Sequence, residues 1–138
     1  LTNLLLLTYP MLKLQKDIKK YLKERGWDKL APADISKGIS IEASELLEHF
    51  QWGSPTVEEI KKDKEKFKEV QSEVSDVFIY CLEMADRLGF DLEKTAHEKL
   101  EKVRVKYPAK LFKESKALPG TDLYWKIKSE YRNKNKTK

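Results

Sequence analysis

The chain has 138 residues, of which 40% are hydrophobic and 37% charged, with a formal net charge of +5. That is long enough for one domain with its own core and too apolar for a disordered chain. The longest apolar run, residues 4–7, is far too short to span a membrane and follows no basic stretch, so neither a membrane helix nor a signal peptide is expected.

The predicted elements are helices. The first runs from about Pro10 to Arg25: proline suits a first turn, Met11, Leu14, Ile18, Tyr21 and Leu22 recur at helical spacing, and Gly26 marks the stop. The second runs from about Asp34, a good N-cap residue, to Phe50, with Ile35, Ile39, Ala43, Leu46, Leu47 and Phe50 on one face. The third lies between about Pro55 and Leu88. Ser54 or Thr56 can cap it, Glu59 completing a capping box with Thr56, the charged part before Phe67 reads as a short separate helix or a mobile stretch, and Phe67, Val70, Val74, Val77, Cys81, Met84 and Leu88 follow a 3-4 seam. The fourth runs from Asp91 to Tyr107, between Gly89 and Pro108. Residues 113–138 read as an extension with a turn at Leu118-Pro-Gly, a short helix over Leu123–Ile127 and a flexible basic end. From Trp125 onward there are six Lys/Arg and one acid, so this tail carries the whole charge excess. The expected organisation is a helical domain over residues 1–112 followed by that extension. The fold class is all-α, a four-helix bundle.

Two acidic pairs break the pattern of a bundle interior. Glu42 and Glu45 project from one side of the second helix, and Glu73 and Asp76 repeat the spacing on the third, each beside an apolar seam. Four carboxylates meeting inside a bundle would repel one another and lose hydration. A hard divalent cation such as Mg²⁺, which takes oxygen ligands, resolves that conflict. His49, one turn beyond Glu45, is a poorer match for an oxygen-preferring ion. Taken singly, each pair also occurs on ordinary solvated helix faces.

The run from Gly38 to Trp52, containing Glu42, Glu45 and Glu48, resembles the first signature of the MazG-like nucleotide pyrophosphohydrolases. Glu73-Val-Ser-Asp76-Val-Phe-Ile-Tyr80 resembles the second, after a spacer of 27 residues between Glu45 and Glu73. The stretch from Lys99 to Tyr107-Pro108 and the Arg25-Gly-Trp27 segment are also similar to that family, so the resemblance spans about residues 10–112. It implies the all-alpha NTP pyrophosphatase fold and hydrolysis of a nucleoside triphosphate to monophosphate and pyrophosphate by water attack at the α-phosphorus. It implies Mg²⁺, with Mn²⁺ as a substitute, held by Glu42, Glu45, Glu73 and Asp76. Glu48 matches a further acid, and Glu45, Glu48 or Glu42 would act as general base. Trp27 and Trp52 match aromatics of the base pocket in dCTP-type members, and Tyr80, Lys99 and Tyr107 match sugar or phosphate contacts. Lys37 and Arg104, which lie near the motifs, could also reach a phosphate. The resemblance further implies a homodimer or homotetramer.

Two departures bear on the substrate. Val103 stands where the family often has Asn, and the place of a first-helix His in dCTP-type members falls near Ile18, the only histidines being His49 and His97. Cytosine selection therefore does not follow from the resemblance. The lone Cys81 and the absence of any CxxC fit a reducing, cytoplasmic compartment. Two competing readings are a nucleic-acid-binding module using the basic tail and a helical partner without catalysis. The neutral body and the lack of a nucleic-acid motif argue against the first. Only turnover separates the second from the enzyme.

Overall fold

A computed structural model describes residues 10–115 and 122–136. Seven helices account for nearly all of them, and no strand occurs among the described residues: α1 (Pro10–Glu24), α2 (Pro32–Glu48), α3 (Val57–Lys62), α4 (Lys64–Leu88), α5 (Leu92–Lys106), α6 (Ala109–Ser115) and α7 (Asp122–Lys136). The all-α class is as expected, and the four expected long helices are α1, α2, α4 and α5. None of these helices is long and apolar enough to cross a membrane. The chain forms two compact units, one up to Leu92 and one from Glu93 onward.

In the first unit, α2 packs chiefly on α4, and α1 lies against α4 as well. Ile18 and Leu22 of α1 and Leu82 of α4 make one buried cluster, which Met11 and Leu92 flank. Ile35 and Ala85 are also buried. Lys19 on α1 reaches Asp86 on α4 at 3.2 Å. The Arg87 Nε–H donates to the Leu30 carbonyl at 2.8 Å, tying the end of α4 to the loop between α1 and α2.

The helix boundaries follow local chemistry. Asp34 is not the N-cap of α2. The helix begins two residues earlier, at Pro32, whose preset φ favours a first turn, and Ala31 occupies the cap with no side-chain hydrogen bond. Asp34 instead lies in the first turn and pairs with Lys37 at 3.0 Å. The capping box of Thr56 and Glu59 forms as expected and starts α3. Asp63, which accepts from the Lys66 backbone N–H, separates α3 from α4. Gly89 ends α4 at φ 74°, a left-handed conformation that glycine takes without strain.

The 3-4 seam of α4 is not an interior stripe. Val74 is 50% exposed and Leu88 58%, while Leu82 and Ala85, off that stripe or at its edge, are buried. Burial on α4 tracks position along the helix: the 15-residue α1 contributes its cluster only at the C-terminal half of the 25-residue α4.

The second unit contains an aromatic cluster. Tyr107 stacks on Tyr124, with centroids 5.2 Å apart, and meets Phe112 edge-on. Tyr124 meets Trp125 edge-on, and Lys106 and Lys128 lie over rings of the cluster. The helix expected over Leu123–Ile127 extends from Asp122 to Lys136, because Leu123, Tyr124, Ile127 and Tyr131 recur at helical spacing through the basic stretch. The turn expected at Leu118-Pro-Gly lies outside the described residues.

Candidate active site

The acids converge where α2 and α4 pack. One carboxylate oxygen each from Glu42, Glu73 and Asp76 lies within 4.8 Å of the others, and all three side chains are half-buried. Among the described residues none of the three is in an ion pair, so their repulsion is not relieved by a protein cation. Burial raises the Glu42 carboxyl above its ordinary range, and the negative charges of Glu45, Asp76 and Glu73 push it further. This set is all oxygen, half-buried and charge-frustrated, which is the environment a hard divalent cation requires. Glu45 is exposed and outside the group of three, though near enough for its charge to act on Glu42.

Beside the acids is a cavity of about 570 Å³. Glu42 and Asp76 line it together with Tyr21, Trp27, Tyr80 and Glu83. The loop after α1 supplies Trp27, whose backbone N–H bonds the Leu22 carbonyl at 2.9 Å and whose ring meets Tyr21 edge-on at 6.2 Å. Together these two rings present a half-exposed apolar wall.

Tyr80 is placed by a missing side chain. A Cβ on Gly38 would lie 2.5 Å from Tyr80 Cε1, so only glycine lets α2 approach the ring this closely. Burial holds the phenol above its ordinary pKa, and Glu42, Glu83, Asp76 and Tyr21 add to the effect. Tyr80 therefore keeps its proton at neutral pH and can donate it in a hydrogen bond toward a phosphate or sugar oxygen.

The remaining sequence candidates are distributed elsewhere. Glu48 and Trp52 line a second cavity, of about 790 Å³, with His49, Glu59, Glu65 and Glu69. Trp52 is 91% exposed and does not join Trp27 within one chain. His49 Nδ1 lies 3.8 Å from Glu69. Lys37 is held by Asp34. Lys99, Arg104 and Tyr107 belong to the second unit, where Arg104 bonds Glu101 and Tyr107 enters the aromatic cluster. The sequence reading missed Tyr21, Gly38 and Glu83. Glu83 was detectable, because it lies seven residues beyond Asp76 and so on the same helix face.

Residues 37–118 match the MazG-like family. The chain belongs to that family. Over 107 residues, 75% of its length, it is 34% identical to dCTP pyrophosphatase 1 of Mus musculus and 33% identical to that of Rattus norvegicus. It spans 62% of the length of either rodent protein. The crystal structure of a pyrophosphatase from Archaeoglobus fulgidus superposes with a TM-score of 0.63 at 35% identity, covering 71% of this chain and 92% of that one. The matched region of this MazG-like chain contains α2 from residue 37 onward and all of α4, which together carry the three converged carboxylates.

Proposed function

We propose that this MazG-like protein is a Mg²⁺-dependent nucleoside triphosphate pyrophosphohydrolase, acting on nucleotides in the reducing cytoplasm and clearing aberrant or surplus ones from the pool. One observation carries the reading: Glu42, Glu73 and Asp76 converge beside a cavity walled by Trp27 and Tyr21. The names of the rodent and archaeal relatives support the reaction class.

Glu42, Glu73 and Asp76 would hold the ion, with Glu45 at its edge. When bound, such an ion neutralises phosphate charge and acidifies water. The protein's own groups supply the rest. Trp27 and Tyr21 hold the base by stacking and exclude water from one side of it. Tyr80 donates its hydroxyl proton to a sugar or phosphate oxygen. Glu45, exposed and next to Glu42, takes a proton from the attacking water. Attack at the α-phosphorus releases pyrophosphate and leaves the monophosphate.

The same reading includes a homodimer or homotetramer. What supports it is apolar surface that one chain leaves open: Val74 and Leu88 on α4, Leu47 on α2, and Trp52. Light scattering that returned a monomer at working concentration would remove that part.

The test of the reaction is pyrophosphate release from a panel of ribo- and deoxyribonucleoside triphosphates with and without Mg²⁺. Mg²⁺-dependent release with monophosphate as co-product is expected. A folded protein that releases none from any of them would overturn the reading.

A further inference from the structure

Two acids of the cavity are not used by the proposed reaction: Asp17, which is exposed and pairs with Lys13, and Glu83, which is buried. Glu83 is 6% exposed, lines the same cavity as Asp76 and Trp27, and its Oε1 is buried without a hydrogen-bond partner. A carboxyl group with an unmet acceptor in an apolar cavity is costly to the fold and is explained by a ligand that completes it. Asp76 and Glu83 lie two helical turns apart on one face of α4, about 10 Å along the axis. That span matches the reach from a phosphate held at the acids, through a sugar, to the far edge of a base lying against Trp27.

We infer that Glu83 is a specificity-determining residue that accepts a hydrogen bond from the exocyclic amino group of the base, favouring cytosine over uracil. This rests on the reading of the site as a nucleotide site. In its ionised form the carboxylate can only accept, so it takes an amino N–H, whereas uracil turns a carbonyl oxygen toward it at the same ring position. Cytosine and uracil differ there and are otherwise close in size, so the choice is made by hydrogen bonding rather than by cavity volume. Sites built around a buried polar group discriminate far more sharply than sites that measure size alone.

The experiment compares kcat/KM for CTP and UTP, and for dCTP and dUTP, in the parent protein and in Glu83→Ala and Glu83→Gln. Both variants are expected to fold, since each removes an unpartnered buried carboxyl. The parent is expected to prefer the cytosine member. Glu83→Ala is expected to lower the cytosine-to-uracil ratio about tenfold or more. Glu83→Gln, whose amide can also donate to a carbonyl, is expected to lower it by improving uracil. In parallel, calorimetric binding of CMP and UMP reads the same preference with no turnover. Binding that shows a Glu83-dependent preference, in a protein that releases no pyrophosphate, would keep this inference and overturn the hydrolase reading. A parent that favours uracil, or a ratio that neither variant changes in either assay, overturns the inference.

Discussion

Toward the C-terminal half of α4, Glu42, Asp76 and Glu83 line a cavity with Tyr21 and Trp27; toward its start, Glu48, Glu59, Glu65 and Glu69 line a larger one with Trp52. Both cavities are acidic, and both are built from α2 and α4. They differ in what the acids are given to do. At the larger cavity the carboxylates are exposed, and three have protein partners: Glu59 accepts from the Thr56 backbone, which holds its pKa below the ordinary range, Asp63 accepts from the Lys66 backbone N–H, and Glu69 faces His49. At the smaller cavity Asp17 on the rim is exposed and pairs with Lys13, but Glu42, Asp76 and Glu83 are wholly or partly buried and take no part in the ion pairs among the described residues. Acidity alone therefore does not mark a reaction site. Acidity withheld from water and from protein cations does.

Substitution of the acids should separate the two cavities most strongly. Glu42→Gln and Asp76→Asn are expected to lower Mg²⁺-dependent pyrophosphate release by about 100-fold or more, while Glu65→Gln and Glu69→Gln should leave it within about twofold. Equal losses at both cavities would erase the distinction. Gly38→Ala comes next. Its new methyl group meets the Tyr80 ring, so it should cost about 1–3 kcal/mol in urea denaturation and reduce turnover with it.

Glu83 gives a test through pH. Burial raises its carboxyl above the ordinary range, so the folded chain holds a proton that the unfolded chain has already released. Stability then falls as pH rises through that window. Glu83→Leu removes the loss and should be more stable than the parent on the alkaline side, by on the order of 1 kcal/mol, with the gain shrinking in acid. A gain that is the same at all pH values would mean the carboxyl is not withheld from water. The smallest effect belongs to the larger cavity: Thr56→Ala should cost about 1 kcal/mol through the lost cap, with no change in turnover.

Much of this arrangement was legible in the sequence. The two acidic pairs stood out because carboxylates beside apolar helix faces conflict with burial, and three of the four converge. The α3 cap was legible because Thr56 and Glu59 act within one turn. Features that depend on which helix lies opposite were not. The α4 seam read as interior because periodicity reports amphipathicity and not the length of the neighbour that must cover it. Asp34 read as a cap because its chemistry suits one, while Pro32 set the start earlier. The spacing puts Glu83 on the face of Asp76, but its burial was not legible, since nothing in the local pattern shows that α1 and the loop after it line that side of α4.

The ring of Tyr80 occupies the space a methyl group on residue 38 would need, and this makes the two positions a single heritable unit. A lineage that exchanges Gly38 first inherits a displaced ring and a damaged site. One that first trims Tyr80 inherits a void, which a later alanine at 38 can fill. The order of change is therefore constrained although the end point is not. The double variant should be less impaired than the sum of its parts, a non-additivity that belongs to the pair and to neither residue alone.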